Sequence, residues 1–400
     1  YYYQCSAHSG MVGTITIISN SDPSVTSIVL DETTIAENGG VAIITATISA
    51  THSKDVTIPL TVTGNANLHF DYAVDFVSKE SVKVFASDLN KPVQMTSDSL
   101  GNLYIIEETI NAVSKWIPGA SVGEIIAGGN GRGSGLNQLD LNDILSFSNI
   151  IVNSNGDLFI ADENNHRVMK WSSGASEGVV VAGGNGSGSE LNQLTLPRHI
   201  KIGESGDLYV NDFRNNRIMK WSSGASEGTV VAGGNGKGSN LNQLDNPEYF
   251  DIDKLGNIYV SDYNNHRVLK WTSGSSEGFV VAGGNGKGSN SNQLENPTHI
   301  FVDENGNIYV KTGTNIHFVY KWDFGAKSGT KVAQFNGDYN APFIVFGDAV
   351  FVLNNDDDNH TLVKWGSGKV IHGENYGSAD NQFNGPRAMH LSLNGNIYVA

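Results

Sequence analysis

The sequence predicts an all-β chain whose greater part is a propeller of six or seven four-stranded blades. Three observations carry that expectation. All six tryptophans follow a lysine, at Trp116, Trp171, Trp221, Trp271, Trp322 and Trp365, spaced 55, 50, 50, 51 and 43 residues apart. A Gly-[Asn/Asp]-apolar step precedes each of them, starting at Gly101, Gly156, Gly206, Gly256, Gly306 and Gly347, and a seventh starts at Gly395. The composition is that of a loop-rich β protein, 39% hydrophobic and 16% charged, with 47 glycines that fall largely in repeated turns.

The unit from Pro247 shows how each element follows. Tyr249 to Ile252 alternates in character and reads as strand a. Gly256-Asn257 makes a tight turn, because glycine accepts positive φ and asparagine does so better than most residues. Ile258 to Val260 is strand b, and Asp262-Tyr263-Asn264-Asn265-His266 is a polar turn. Arg267 to Trp271 is strand c, Phe279 to Val281 is strand d, and Gly283 to Ser289 crosses to the next unit. A buried tryptophan hides about 150–250 Å², worth at most about 4–6 kcal/mol, so one indole per unit reads as a structural anchor.

The stretches Asp162 to Val168 and Asp262 to Val268, with a near copy from Asp212 to Ile218, resemble the signature of NHL repeats. The resemblance covers roughly residues 80–400 and implies an NHL-type β-propeller. It fades around Asn315-Ile316-His317 and from Asn354 to His360, where irregular blades are expected. Val82-Lys83-Val84-Phe85-Ala86 matches the text of strand d, and an N-terminal strand of that kind would complete the last blade and close the ring. The last unit stops at Ala400, just after its strand b.

Residues 1–17 contain an aromatic run, Cys-x-x-His-x-x-Met, and then a second apolar stretch. This resembles the C-terminal end of a cupredoxin of the plastocyanin and amicyanin kind. The resemblance implies that Cys5, His8 and Met11 are copper ligands, thiolate and imidazole binding strongly and the thioether weakly. Such a site takes a further His from an earlier strand, which this sequence lacks, so the copper site is expected to be incomplete. Residues 18–27 read as a polar linker. Residues 28–78, with Glu37-Asn38-Gly39-Gly40, paired strand patterns and Asp71-Tyr72, are similar to the first half of a Calx-β domain. Members of that family bind Ca²⁺ through acidic loops, but Glu37 and Asp71 supply too few oxygens for six to eight ligands, so a spacer is expected. The organisation read from the sequence is therefore a cupredoxin-like piece (1–17), a linker (18–27), a partial Calx-β-like segment (28–78) that makes a small β-sandwich-like region, and the propeller (79–400).

Gly284 to Ser289 contains Gly-Lys but no Ser or Thr directly after it, and it recurs per unit, so it reads as a crossover loop and not as a phosphate loop. Asp162, Asp212 and Asp262 recur after strand b. They could form a ring of carboxylates around a cation, but Arg167, Arg217 and Arg267 recur with them, and turn bracing by Asp–Arg pairs is the favoured reading. Asp356-Asp357-Asp358 lies on one turn without EF-hand spacing, and reads as a solvated loop with at most weak Ca²⁺ binding. No His pair of metalloprotease type and no Gly-x-Ser-x-Gly elbow occurs, and no polar cluster stands out from the repeat background, which argues against catalysis.

A net charge of −16, from 25 basic and 41 acidic residues, argues against nucleic acid as a partner. No apolar stretch is long enough to span a membrane. The chain opens Tyr1-Tyr2-Tyr3 without Met and reads as a piece of a longer protein. Cupredoxin-like and Calx-β-like modules are usually exported, so the resemblances imply a bacterial periplasmic, cell-surface or secreted location. The expected function is a non-catalytic binding scaffold with a protein or glycan on a propeller face. The alternatives are a copper electron-transfer protein in the intact chain and a metal-dependent propeller lactonase or lyase.

Overall fold

The structure is a computed structural model. It describes five strands within residues 1–81, and residues 89–400 apart from 119, 121, 142–148, 315, 337–340, 348, 357–358, 366–368, 373–386 and 393–396. The chain divides into two compact units, Tyr1–Ser81 and Val82–Ala400.

In the first unit Tyr2–Gln4 pairs antiparallel with Val41–Ile43, and Val12–Ile17 pairs with both Thr34–Ala36 and Leu60–Thr63. Strand 12–17, expected to end one segment, thus shares a sheet with strands expected to belong to the next.

The second unit holds six antiparallel four-stranded sheets, each in the order a-b-c-d along the chain. Blade 1 comprises Pro92–Ser97, Leu103–Glu107, Ala112–Trp116 and Glu124–Gly128. Blade 2 comprises Ile150–Val152, Leu158–Asp162, Arg167–Trp171 and Val179–Gly183. Blade 3 runs Pro197–Ile202, Leu208–Asp212, Arg217–Trp221, Thr229–Gly233. Blade 4 runs Pro247–Ile252, Ile258–Asp262, Arg267–Trp271, Phe279–Gly283. Blade 5 is Ile300–Val302, Ile308–Thr312, Ile316–Trp322 and Thr330–Asn336, and blade 6 is Phe343–Phe346, Ala349–Asp356, Asn359–Trp365 and Lys369–His372. A seventh unit has two strands, Met389–Leu391 and Ile397–Val399.

Apolar layers join successive blades. Tyr104, Ile106, Val113 and Leu139 pack on Ile150, Ile160, Met169 and Trp171, and equivalent residues repeat this layer from blade to blade. The seventh unit continues the ring on both sides. Its Met389 packs with Ile344, Phe351 and Leu353 of blade 6, while Ala388 packs with Met95, Ile105 and Trp116 of blade 1. Six blades are therefore complete four-stranded sheets, and the two-stranded unit occupies the place between the last and the first. Val82 to Ala86, expected to supply an outer strand here, lie outside the described residues.

Five of the six indoles are at most 5% exposed, and Trp365 is 36% exposed. Each of the five carries a glycine on its face: Gly123, Gly178, Gly228, Gly278 and Gly329 lie so close to the ring that a Cβ would come within 3 Å of it. The irregular stretches fall where the sequence signature fades. Blades 1 to 4 have a short 3₁₀ turn between strands b and c, as at Tyr263–Asn265. In blade 6 strands b and c pair as far as Asp356 with Asn359, and Asp357 and Asp358 lie outside the described residues.

Candidate ligand site at the inner strands of blades 3 to 5

The repeated Asp residues are structural. Asp212 is fully buried and accepts hydrogen bonds from Arg217 Nε at 2.6 Å, from Asn215 Nδ2 at 2.9 Å and from the Thr195 backbone at 2.7 Å. The same guanidinium donates to the carbonyls of Ser189, Glu190 and Gln193 in the incoming crossover loop. Asp162–Arg167 and Asp262–Arg267 repeat this arrangement at 2.7 Å. Burial pushes these three carboxyls up, and the backbone, Asn and Arg hydrogen bonds oppose it. Each signature thus clips the loop that arrives from the preceding blade, and the three Asp residues are engaged with Arg instead of forming a cation ring.

The other side of the b–c turn clips the following blade. His166, Asn216 and His266 adopt the left-handed conformation at φ 55, 51 and 55°. Their side chains accept the backbone N–H of Leu196, Asn246 and Asn296 at 3.2, 2.9 and 3.2 Å. Sequence reasoning missed this role; its signal was a residue tolerant of αL at the end of each Asn-Asn-His or Arg-Asn-Asn turn.

Against this repeated scaffold one region breaks symmetry. Pro197, Pro247 and Pro297 each stand two residues before an aromatic ring: His199 and Tyr249 on strand a, the inner strand, of their blades, and His299 just before that of blade 5. His199 stacks on Tyr249 at 3.6 Å between centroids, and Tyr249 lies 4.9 Å from His299. The equivalent positions in the other units are Gln94, Asn149, Pro342 and Ala388, which build no such stack. One turn further along the inner strands, Lys201 pairs with Asp251, and Phe301 is 37% exposed. Towards the strand starts, Arg198 Nε donates to Glu163 at 3.0 Å and Arg198 Nη1 to Glu248 at 3.1 Å, with its guanidinium 3.6 Å above the Phe213 ring.

Among the described residues several buried polar atoms around this stack have no hydrogen-bond partner: His199 Nδ1, His299 Nδ1, Thr298 Oγ1 and Asn211 Oδ1. Asn211 is oriented by its amide nitrogen, which donates to the carbonyls of Pro247 at 2.8 Å and Glu248 at 3.2 Å. Burial keeps both histidines neutral. It holds His199 far below its usual pKa and His299 down at about 3, with Lys201 and Lys311 adding to the respective effects. An unsatisfied buried polar group is unfavourable by about 1–3 kcal/mol, so four in one place mark a region shaped for something other than stability.

The sequence reading saw no polar cluster above the repeat background, and the structure corrects it. The residues lie 50 apart in the chain and meet only because inner strands of successive blades are neighbours. Among the described residues no group of three His, Cys, Asp or Glu side chains converges to hold a metal ion. Cys5, His8 and Met11, together with Glu37 and Asp71, lie outside the described residues.

Comparison with known proteins agrees with this architecture. Residues 244–271, which span most of blade 4, match the NHL repeat model; the match does not reach the segments that resemble cupredoxin and Calx-β. No curated protein matches the chain in sequence. The extracellular domain of BT4673 of B. thetaiotaomicron aligns at TM-score 0.53 and 13% identity, over 84% of this chain and 41% of that one. The extracellular domain of BT3049 of the same organism gives 0.51 and 13%, over 79% and 39%. Virginiamycin B lyase from Staphylococcus aureus gives 0.47 and 12%, over 78% and 92%. At these identities the likeness is one of fold. The second unit of this chain is a β-propeller with an NHL repeat in its fourth blade.

Proposed function

We propose that the propeller is a non-catalytic binding platform of an exported protein, and that its ligand docks against the inner strands of blades 3 to 5. The observation that carries this reading is the set of unpartnered buried polar atoms around His199, Tyr249 and His299, in a ring that otherwise repeats its contacts. The clips on both sides of each b–c turn hold neighbouring inner strands at fixed spacing, which preorganises the site. The extracellular origin of the two propellers with the higher TM-scores supports export, and no helix among the described residues is long and apolar enough to cross a membrane.

The test is to screen the whole chain against arrayed glycans and peptides, with the Tyr249→Ala chain alongside. The reading expects a ligand that the wild type retains unchanged and the variant loses. Retention by the variant would place the site elsewhere, and chemical conversion of the ligand by the wild type would make the platform an enzyme.

A further inference from the structure

We infer that the outer edges of blades 2, 3 and 4 are an interaction surface, and that each takes an added β-strand from a partner protein: an extended segment with alternating apolar residues and a lysine or arginine at one end. This surface lies at the opposite edge of the blades from the inner strands, so it stands apart from the reading above.

Strand d is the last strand of each four-stranded sheet, and in blades 2 to 4 it pairs with strand c alone. Its outward backbone N–H and C=O groups form an open edge, which native sheets blunt with a charge or a proline. Blade 1 opens this strand with Glu124, blade 6 opens it with Lys369, and blade 5 has Lys331 at its second position. Strand d of blades 2 to 4 contains neither a charged residue nor a proline. The place of Lys331, opposite Tyr320 of strand c, is held by Val180, Val230 and Val280.

Two further features occur in the same three blades. The crossover loop from the preceding blade brings a leucine to the start of the edge. The carbonyls of Leu136, Leu191 and Leu241 accept the N–H of Gly178, Gly228 and Gly278 at 2.9, 2.8 and 2.9 Å. These leucines and the three valines are 39–44% exposed. In blade 5, where the edge carries Lys331, the same carbonyl belongs to Ser291. Before each of the three glycines stands an exposed glutamate, Glu177, Glu227 or Glu277, where blades 1 and 5 have Val122 and Ser328. The lysines of the adjoining c strands are engaged with Asp157, Asp207 and Asp253. The glutamates form no ion pair among the described residues.

The unblunted edge, the apolar surface and the free negative charge thus appear together and disappear together. An added strand uses all three: its backbone pairs with the edge, its apolar side chains cover leucine and valine, and its cation meets the glutamate. A second copy of this chain would bring its own charge of −16 to the contact, so the charge selects a basic partner. Three equivalent edges also let a partner with repeated strands bind more tightly than one strand does.

The experiment is fluorescence anisotropy on the whole chain with three labelled peptides: Lys-Val-Thr-Val-Thr-Val, the same peptide with Glu in place of Lys, and the same peptide with Pro in place of its middle Val. The lysine peptide should bind, and should protect the amides of Val179 to Ala182 and their equivalents from hydrogen exchange. The glutamate peptide should bind about tenfold more weakly, and the proline peptide should not bind, because proline brings no N–H to the edge. A chain carrying Val180→Lys, Val230→Lys and Val280→Lys should weaken the lysine peptide about tenfold at an unchanged melting temperature, since Lys331 shows that a blade accepts lysine there. A chain carrying Glu177→Gln, Glu227→Gln and Glu277→Gln should bind the lysine and glutamate peptides alike. Equal binding of the proline peptide, or binding that survives the three lysines, would overturn the edge as the site. Equal binding of the lysine and glutamate peptides by the wild type would overturn the basic partner. No binding of the lysine peptide would overturn the proposal, and self-association of the chain that the three lysines abolish would give the surface to a second copy instead.

Discussion

Ser97 Oγ and His390 Nε2 stand 2.8 Å apart although 293 residues of chain separate them. This contact joins strand a of the first blade to the inner strand of the seventh unit, so the ring is closed by tertiary contacts between the two ends of the repeat array. Closure removes the open edges that a row of small sheets would leave. The bond also places a histidine where water is largely excluded.

Stability should therefore fall in mild acid. Burial lowers the pKa of His390 to about 4 and that of His299 to about 3. The unfolded chain takes up these protons near the ordinary value of about 6.5, before the folded chain does. Folding stability is then full above that value and declines as the pH falls towards the folded values, by about 1.4 kcal/mol per pH unit for each histidine at most. Urea titrations at pH 7, 6 and 5 should show a falling midpoint, and a chain carrying His299→Gln and His390→Gln should show a flatter decline. Equal slopes for the two chains would contradict the assignment.

The Asp–Arg clip should be one of the most sensitive points of a blade. Asp212→Ala leaves Arg217 buried with its charge uncompensated, which costs about 3–5 kcal/mol. Arg217→Lys keeps the charge but loses the fork that reaches Ser189, Glu190 and Gln193, and should fall short of that loss. Chemical denaturation of the two variants gives the order directly.

Two glycines of blade 3 separate space from conformation. Gly228 would place a Cβ 2.8 Å from the Trp221 ring, so Gly228→Ala overpacks the face of an anchor and should cost about 1–3 kcal/mol. Gly224 has open space around it and a φ of +77°, so Gly224→Ala should cost about 1 kcal/mol through strain alone. Melting temperatures should fall in that order, and only Gly228→Ala should alter the near-ultraviolet signal of the indole.

Asn216 combines both kinds of constraint. It holds φ +51° and accepts the Asn246 N–H. Asn216→Gly keeps the backbone at ease and loses one hydrogen bond, about 1 kcal/mol. Asn216→Ala loses the bond and adds left-handed strain of about 1–2 kcal/mol. Hydrogen exchange at Asn246 should accelerate in both variants and more in the alanine one.

The sequence by itself determined the repeat, its four strands and its turn chemistry. Lys-Trp, Gly-Asn and the Asp-to-Arg turn are local patterns, and each of them answers to backbone geometry or to a partner five residues away. The pairing of Asp212 with Arg217 was legible for that reason. Only the tertiary structure decided what surrounds the ring axis. His199, Tyr249 and His299 are ordinary alternating residues of separate blades, and nothing within any one repeat marks them. They become a stack, with polar atoms left unpartnered beside it, because closing the ring sets inner strands 50 residues apart side by side, and desolvation there acts on the assembled group and not on any single blade.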